Sequence, residues 1–198
     1  DRKAKTVSTV VGTAELGGML RSNAVRPGLS VALRSPWDLV TVGDFVFVAL
    51  AGSHQIGLFM PKSGEFRLFA GSGQEARRDG DLLDAAFAQP SALAVGADRK
   101  ELFVLDSETS SVRAIDLQKS TVRTVVGKDL FVFGDVDGDR DTARLQHPIG
   151  MTWMDGALIV ADSYNSKIKR VDPATGATRS LFGGRDDKVV DEPAGLAV

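Results

Sequence analysis

The densest group of potential metal ligands in this sequence is an acidic run in which aspartates alternate with other residues. Asp135, Asp137 and Asp139 have the spacing of the first carboxylates in a calcium loop, and carboxylate oxygen is the ligand that Ca²⁺ and Mg²⁺ prefer. The run departs from an EF-hand because Gly138 comes two positions early and Gln146 stands where a bidentate glutamate belongs. We therefore expect a solvated acidic turn and no cofactor, with a metal site at the three aspartates as the alternative.

The chain contains two histidines, His54 and His147, and no cysteine. It therefore has no disulfide or thiolate nucleophile, and its two histidines do not make a zinc centre by themselves. No serine is flanked by glycines as in a nucleophile elbow, and no glycine-rich phosphate loop precedes a helix. We expect both histidines to make hydrogen bonds in turns or at the rim of the fold. The sequence names no reaction.

Two further aspartates, Asp106 and Asp162, each end an apolar stretch and precede a turn. Asp and Asn side chains in turns bond backbone N–H groups, so holding the turn is the expected role. Ligand binding is the alternative, because loops on a rigid scaffold are where binding residues concentrate. The candidate binding residues, expected on one rim, are Arg34, His54, Asp106, Arg144, His147, Asp162, Tyr164 and Asn165.

A repeated unit must position these residues. The stretches that begin at Phe45, Glu101 and Ala157 align without gaps, each after a strand that opens with proline and before an alternating strand that closes on glycine. The closing glycines are spaced 56 residues apart, at 71, 127 and 183. Four short strands per unit, repeated at roughly 40–55 residues, indicate a β-propeller.

The fold class is therefore all-β, with three full four-stranded blades at residues 36–71, 90–127 and 148–183. Two orphan strands are predicted at residues 6–12 and 193–198, so we interpret the whole chain, 1–198, as one segment of a larger propeller. Trp37 and Trp153 lie on opening strands and are expected to pack between blades.

The third unit carries the residues that resemble a known family. The stretch from Asp162 to Ile168, D-S-Y-N-S-K-I, and the stretch P-A-G-L-A-V at residues 193–198 resemble the NHL repeat. Other stretches, among them S-P-W-D at residues 35–38 and the run that ends in L-Q-H-P at residue 148, resemble the group of NHL repeat-containing protein 2 and its bacterial relatives. The resemblance implies a six-bladed NHL propeller with a thioredoxin-like domain upstream. The first blade departs from the pattern, because Leu50 stands where the aspartate belongs.

Composition restricts the partners. Hydrophobic content is 43%, charged content is 25% and the net charge is −2, which are values typical of a soluble globular chain. A basic excess is absent, so we expect neither nucleic-acid nor membrane binding. The lack of cysteine favours the cytoplasm slightly. We expect a protein partner, and self-association if the chain is complete as given.

The function that these observations favour is a non-catalytic scaffold for protein–protein contact. The predicted contact face combines residues 72–89 and 128–147 with the turns at 51–55, 106–110 and 162–166. Charge reversal at Arg144 and Asp162 is expected to weaken partner capture without unfolding the chain. The alternatives are the propeller part of a thioredoxin-like thiol–disulfide oxidoreductase, and a metal-dependent hydrolase or lyase, whose propeller relatives use several histidines.

Overall fold

The computed structural model describes residues 3–184, 186 and 189–197. These residues form three antiparallel β-sheets, called sheets 1, 2 and 3 in chain order. No α-helix occurs in the described ranges, and the 3₁₀ helices there are Gly28–Ser30, Ala51–Ser53 and Ser163–Asn165. None of these helices has the length and apolar character needed to cross a bilayer.

Each sheet is a meander of four strands, to which sheets 1 and 2 add a fifth strand of two residues at one edge. Sheet 1 contains β1 (Arg26–Pro27), β2 (Pro36–Val42), β3 (Phe45–Leu50), β4 (Gln55–Met60) and β5 (Glu65–Ala70). Sheet 2 contains β6 (Gly80–Asp81), β7 (Pro90–Val95), β8 (Glu101–Asp106), β9 (Ser111–Asp116) and β10 (Thr121–Val126). Sheet 3 contains β11 (Gly150–Met154), β12 (Ala157–Asp162), β13 (Lys167–Val171) and β14 (Thr178–Gly183).

The opening strands of successive sheets pack side by side, β2 on β7 and β7 on β11. Because every sheet presents its first strand to its neighbour, the three sheets are arranged as consecutive propeller blades. Short hairpins connect consecutive strands within each blade, and the paired strands are therefore antiparallel.

The strand patterns follow from their position in the blade. Strand β5 alternates between half-buried and buried residues, as expected of a strand with one covered face. Strand β12 is buried along its whole length, since it lies second in its sheet with strands on both sides and apolar layers on both faces. Continuous apolar stretches such as Ala157–Ala161 meet this requirement.

Two apolar layers join the blades. The layer between sheets 1 and 2 includes Phe47, Ile56 and Val104. The layer between sheets 2 and 3 includes Phe103, and Trp153 stacks on its ring with 5.7 Å between the ring centroids. The prediction that Trp153 packs between blades is thus confirmed. The matching prediction for Trp37 is wrong, because this side chain on the opening strand β2 is half exposed.

The predicted orphan strands are also absent from the described residues. Residues 6–12 and 193–197 are not in any strand, and Val198 lies outside the described residues. The edge of sheet 1 next to β5 is occupied by β1. The second stretch packs beside β11, where a Cβ on Gly150 would come within 2.5 Å of the Ala194 carbonyl oxygen, but it makes no strand ladder there.

Candidate functional site

Two buried aspartates hold the turns between the second and third strands of sheets 2 and 3. Asp106 Oδ1 accepts a hydrogen bond from the Ala88 N–H at 2.6 Å, and Asp162 Oδ1 accepts one from the Gln146 N–H at 2.7 Å. Each bond ties a turn to the link that arrives from the preceding blade, so both aspartates hold the turn as expected. Both side chains are completely buried, which corrects their placement among surface binding residues: a partner at the rim does not reach either carboxylate.

Each of these aspartates faces a buried cation from the third strand of its blade. Arg113 Nη1 lies 3.4 Å from Asp106 Oδ2, and Arg113 Nη2 lies 2.8 Å from Asp79 Oδ1. In sheet 3, Lys169 Nζ lies 3.3 Å from Asp162 Oδ2. Sequence reasoning missed both cations. The available signal was their shared spacing, since each follows its aspartate by seven residues.

Burial displaces the protonation equilibria of these groups. It raises the pKa of Asp106 to about 6 against the opposing charge of Arg113, and it also raises the pKa of Asp162. Burial acts on Asp79 as well, but hydrogen bonds from Thr124 and the charge of Arg113 hold the pKa of this carboxyl below its ordinary value. Arg113 is therefore paired with two carboxyls whose pKa values are displaced in opposite directions, Asp106 upward and Asp79 downward.

The acidic run contributes to the same framework. Lys169 Nζ lies 2.8 Å from Asp135 Oδ1 and 3.6 Å from Asp137 Oδ1, so an ammonium group occupies the space between these two carboxylates. Asp139 points elsewhere and accepts hydrogen bonds from the hydroxyl and the N–H of Thr142. No three His, Cys, Asp or Glu side chains in the described ranges are placed to hold a metal ion. The geometry therefore does not support the calcium-loop alternative.

Asn165 and Arg144 also bond within the protein. Asn165 Nδ2 donates to Asp162 Oδ2 and to the Gly134 carbonyl, both at 2.8 Å, and the side chain is buried. Arg144 Nη1 donates to the Asp141 carbonyl at 2.9 Å. Charge reversal at Asp162 would put a second cation beside Lys169 in a buried site. This geometry does not support the expectation that such a variant keeps its fold.

His54 marks the place where a turn of sheet 1 meets the next link. It has a left-handed backbone (φ 58°), and its Nδ1 accepts a hydrogen bond from the Gln89 N–H at 3.1 Å. Burial lowers the pKa of His54, the charges of Glu75 and Glu108 raise it, and that of Arg34 lowers it further. Arg34 is exposed, and its charge acts on His54, so these two residues of the predicted rim lie near each other.

His147 and Tyr164 meet in the same way at the junction of sheets 2 and 3. Their rings stack with 4.5 Å between centroids and an angle of 26° between planes. Glu108 also approaches the imidazole, with Oε1 3.8 Å from His147 Nδ1. The His147 N–H donates to Ser110 Oγ at 3.1 Å, which fixes the histidine backbone on the turn of sheet 2.

These side chains line a hollow of about 150 Å³ between the second and third blades. Its lining, called the inter-blade hollow below, consists of Glu108, Ser110, Leu130, Phe133, Gln146, His147 and Tyr164. Two aromatic side chains of this lining are exposed, Phe133 by 53% and Tyr164 by 48%, and Phe131 in the same link is exposed by 87%. Sequence reasoning placed all of the lining on the predicted contact face but singled out only His147 and Tyr164 as binding residues. The apolar run from Leu130 to Phe133 was a readable signal, because it lies in a link where no strand requires it.

The comparisons with known proteins bear on the whole chain. Human NHL repeat-containing protein 2 is 38% identical over 237 aligned residues, which cover 100% of this chain and 32% of that protein. The Arabidopsis thaliana protein SUPPRESSOR OF QUENCHING 1, chloroplastic, is 39% identical over 211 aligned residues, which cover 97% of this chain and 20% of that protein. The chain is a β-propeller built from NHL repeats. It spans between a fifth and a third of the length of these relatives, and no family model matches it.

Solved structures agree on the fold. An auxiliary nutrient binding protein from Bacteroides ovatus superimposes with a TM-score of 0.65 at 12% identity, over 84% of this chain and 44% of the other. A chain from a nidogen/laminin complex superimposes with a TM-score of 0.60 at 17% identity, over 84% of this chain and 53% of the other. At such identities the similarity concerns the fold alone, and it confirms the predicted all-β propeller class.

The NHL repeats separate framework positions from variable ones. At the left-handed position of the turn, His54 and its equivalents Ser110 and Ser166 all accept a hydrogen bond from the backbone N–H that precedes the next proline. One position of the same turn varies completely, with Gly52, Glu108 and Tyr164 in successive blades. The fold requires the first set and leaves the second set unconstrained.

The links vary in the same way. Residues 72–77, after sheet 1, read S-G-Q-E-A-R, whereas residues 128–133, after sheet 2, read K-D-L-F-V-F. Both links continue from the same closing glycine position of their blade. The apolar lining of the inter-blade hollow is thus a property of one junction and not of the NHL repeat.

Proposed function

We propose that this chain is a non-catalytic NHL propeller that binds a protein partner at the inter-blade hollow. The observation that carries this proposal is the pair of exposed aromatic side chains Phe133 and Tyr164 in the lining of the hollow, together with the exposed Phe131 in the same link. Monomeric folded proteins rarely group exposed apolar residues in this way unless the surface binds something.

The scaffold under the hollow supports a binding role. Tyr164 belongs to the 3₁₀ helix Ser163–Asn165, whose neighbouring residue Asp162 is buried and ion-paired with Lys169. Glu108 follows the buried Asp106, and its N–H donates to the Ala88 carbonyl at 3.1 Å. Side chains presented by fixed turns lose little conformational freedom on binding, which favours affinity.

The two enzyme hypotheses concern parts of a longer protein or groups that this chain does not bring together. Thiol–disulfide exchange needs thiols, which this chain lacks, so they would have to lie in another part of a protein as long as its relatives. For a metal-dependent reaction, the described His54 and His147 each contact a neighbour within the protein and converge on no common point with other ligands. No contact in the described residues favours either hypothesis over binding.

A peptide selection tests the proposal. A phage-displayed library of random peptides is selected on the immobilised chain, and the affinity of each enriched peptide is measured by fluorescence anisotropy. We expect Phe133→Ser to weaken the enriched peptides at least tenfold, because the substitution removes an exposed anchor at the edge of the hollow.

Phe45→Ser is the matched control, since Phe45 is also exposed (45%) and begins β3 at the opposite end of that strand from the rim turns. It should leave the same affinities unchanged. Enriched peptides that bind both variants as tightly as the original chain would overturn the proposal, as would a selection that enriches no peptide at all.

A further inference from the structure

The inter-blade hollow contains one acidic side chain beside an aromatic pair, and the described residues that line it include no lysine or arginine. The acid is Glu108, whose side chain is 36% exposed. In the described residues, the only basic side chain within 4 Å of its carboxylate is His147, at 3.8 Å. Glu108 therefore offers an accessible carboxylate with which no lysine or arginine of the described residues forms an ion pair.

The aromatic pair offers a flat surface next to that carboxylate. The His147 and Tyr164 rings are stacked within 26° of parallel, and Tyr164 is exposed by 48%. A cation within about 6 Å of an aromatic face is attracted by the ring, and a planar guanidinium also stacks on it. The structure already shows this kind of contact inside blade 2, where Arg113 Cζ lies 5.2 Å from the centroid of the Phe87 ring.

The size of the hollow fits a single side chain. A volume of about 150 Å³ corresponds to roughly five water molecules in the liquid, which is the scale of one extended side chain and not of a strand or helix. Leu130 and Phe133 form the apolar part of the lining, against which a methylene stem packs.

We propose that the inter-blade hollow binds an arginine side chain of the partner, with the guanidinium on the Tyr164 ring and paired with Glu108, and with apolar neighbours on Phe133. This inference rests on the proposed function and specifies its partner as a segment in which apolar residues flank an arginine. Among the described blades, only this junction combines Glu108, Tyr164 and the Leu130–Phe133 run. The specificity therefore belongs to this site and not to the NHL repeat.

The test compares two peptides that differ in charge but not in shape. The probes are acetyl-Leu-Arg-Leu-amide and the same peptide with citrulline in place of arginine, titrated into ¹⁵N-labelled chain and followed by backbone amide shifts. We expect the arginine peptide to bind at least tenfold more tightly and to shift the amides of Glu108, His147 and Tyr164. Glu108→Gln should remove most of the difference between the peptides, and Tyr164→Leu should weaken the arginine peptide.

Asp155→Asn is the matched control, because Asp155 is exposed in the hairpin at the other end of β12 and asparagine tolerates its left-handed backbone (φ 48°). It should leave both affinities unchanged, and thermal unfolding should show all three variants folded. Equal binding of the two peptides, failure of both to bind, or a preference for arginine that survives Glu108→Gln would overturn the inference. Some peptides from the phage selection could lose affinity with Phe133→Ser but not with Glu108→Gln. That result would contradict this inference alone and would still support the proposed function.

Discussion

Asp106 shows how much one buried carboxyl can affect this chain. Burial raises its pKa from the ordinary value of 3.8 to about 6, so between these pH values the folded state holds a proton that the unfolded state has released. The contribution of Asp106 to the free energy of unfolding is therefore most favourable below about pH 4 and declines as the pH rises through 6. Asp79, with its lowered pKa, contributes stability above its ordinary pKa that is lost as the pH falls through its folded pKa.

Asp106→Asn isolates the first of these effects, because an amide does not titrate. We expect the original chain to gain stability relative to Asp106→Asn as the pH falls from 7 to 4, measured as the difference in free energy of unfolding from urea denaturation. The reference variant is Asp44→Asn, which removes an exposed ion pair with Lys62 and should change the free energy of unfolding by less than about 1 kcal/mol. A difference that stays flat for Asp106→Asn across this range would contradict the raised pKa.

At the scale of the element, blade 1 fills with apolar side chains the position at which blade 2 has a buried ion pair. The positions equivalent to Asp106 and Arg113 are Leu50 and Gly57, and the ring of Phe66 fills the space. A Cβ on Gly57 would lie 2.2 Å from a ring atom of Phe66, so glycine is needed where the arginine stands in blade 2. Replacing a buried ion pair by well-packed apolar residues is often neutral or stabilising, whereas removing one partner is costly.

Blade 2 can be rebuilt on the pattern of blade 1. We expect Asp106→Leu alone to cost about 1–3 kcal/mol of stability, because it leaves the buried Ala88 N–H without its acceptor and removes one of the two carboxylates that pair with Arg113. The triple variant Asp106→Leu/Arg113→Gly/Val122→Phe should recover most of that loss, because Val122 occupies the position of Phe66. Urea denaturation of the single, double and triple variants measures the coupling. Costs that simply add across the three substitutions would show that the apolar filling and the ion pair are not interchangeable.

What the sequence made predictable at this scale follows from repetition. The strands could be predicted because the alternation of apolar and polar residues, the opening proline and the closing glycine recur in all three blades. The two-residue strands β1 and β6 were not, since their pairing depends on where a link passes and not on a pattern of their own. The cations Arg113 and Lys169 were missed for a related reason, because their charge is compensated partly by residues of the links, Asp79 and Asp135. The lining of the hollow falls within the predicted contact face, but only His147 and Tyr164 were singled out as binding residues, because no sequence pattern shows that the link brings Phe133 to the turn of Glu108.

At the scale of the whole molecule, buried hydroxyls join one blade to the next. Ser107 Oγ lies 2.6 Å from the Pro148 carbonyl oxygen of the following blade, and its equivalent Ser163 Oγ lies 2.6 Å from that of Pro193. Blade 1 has Ala51 at this position, and its contact to blade 2 is instead made by Asp38 Oδ2, which accepts a hydrogen bond from the Leu93 N–H at 2.7 Å. In the described residues, both junctions between sheets thus have at least one polar contact at an opening strand in addition to their apolar layer.

Ser107→Ala tests whether such a contact couples neighbouring blades. The substitution removes a buried donor, and the loss of one hydrogen-bond partner for a buried carbonyl costs about 1–3 kcal/mol. We expect this loss in urea denaturation, together with faster hydrogen exchange of the β11 and β12 amides, because sheet 3 is attached through Pro148. Ser30→Ala is the control, since Ser30 is exposed and bonds only within its own turn, and it should change stability by less than about 0.5 kcal/mol. If exchange accelerates equally in all three sheets, the hydroxyl stabilises the chain as a whole and does not act as a joint between blades 2 and 3.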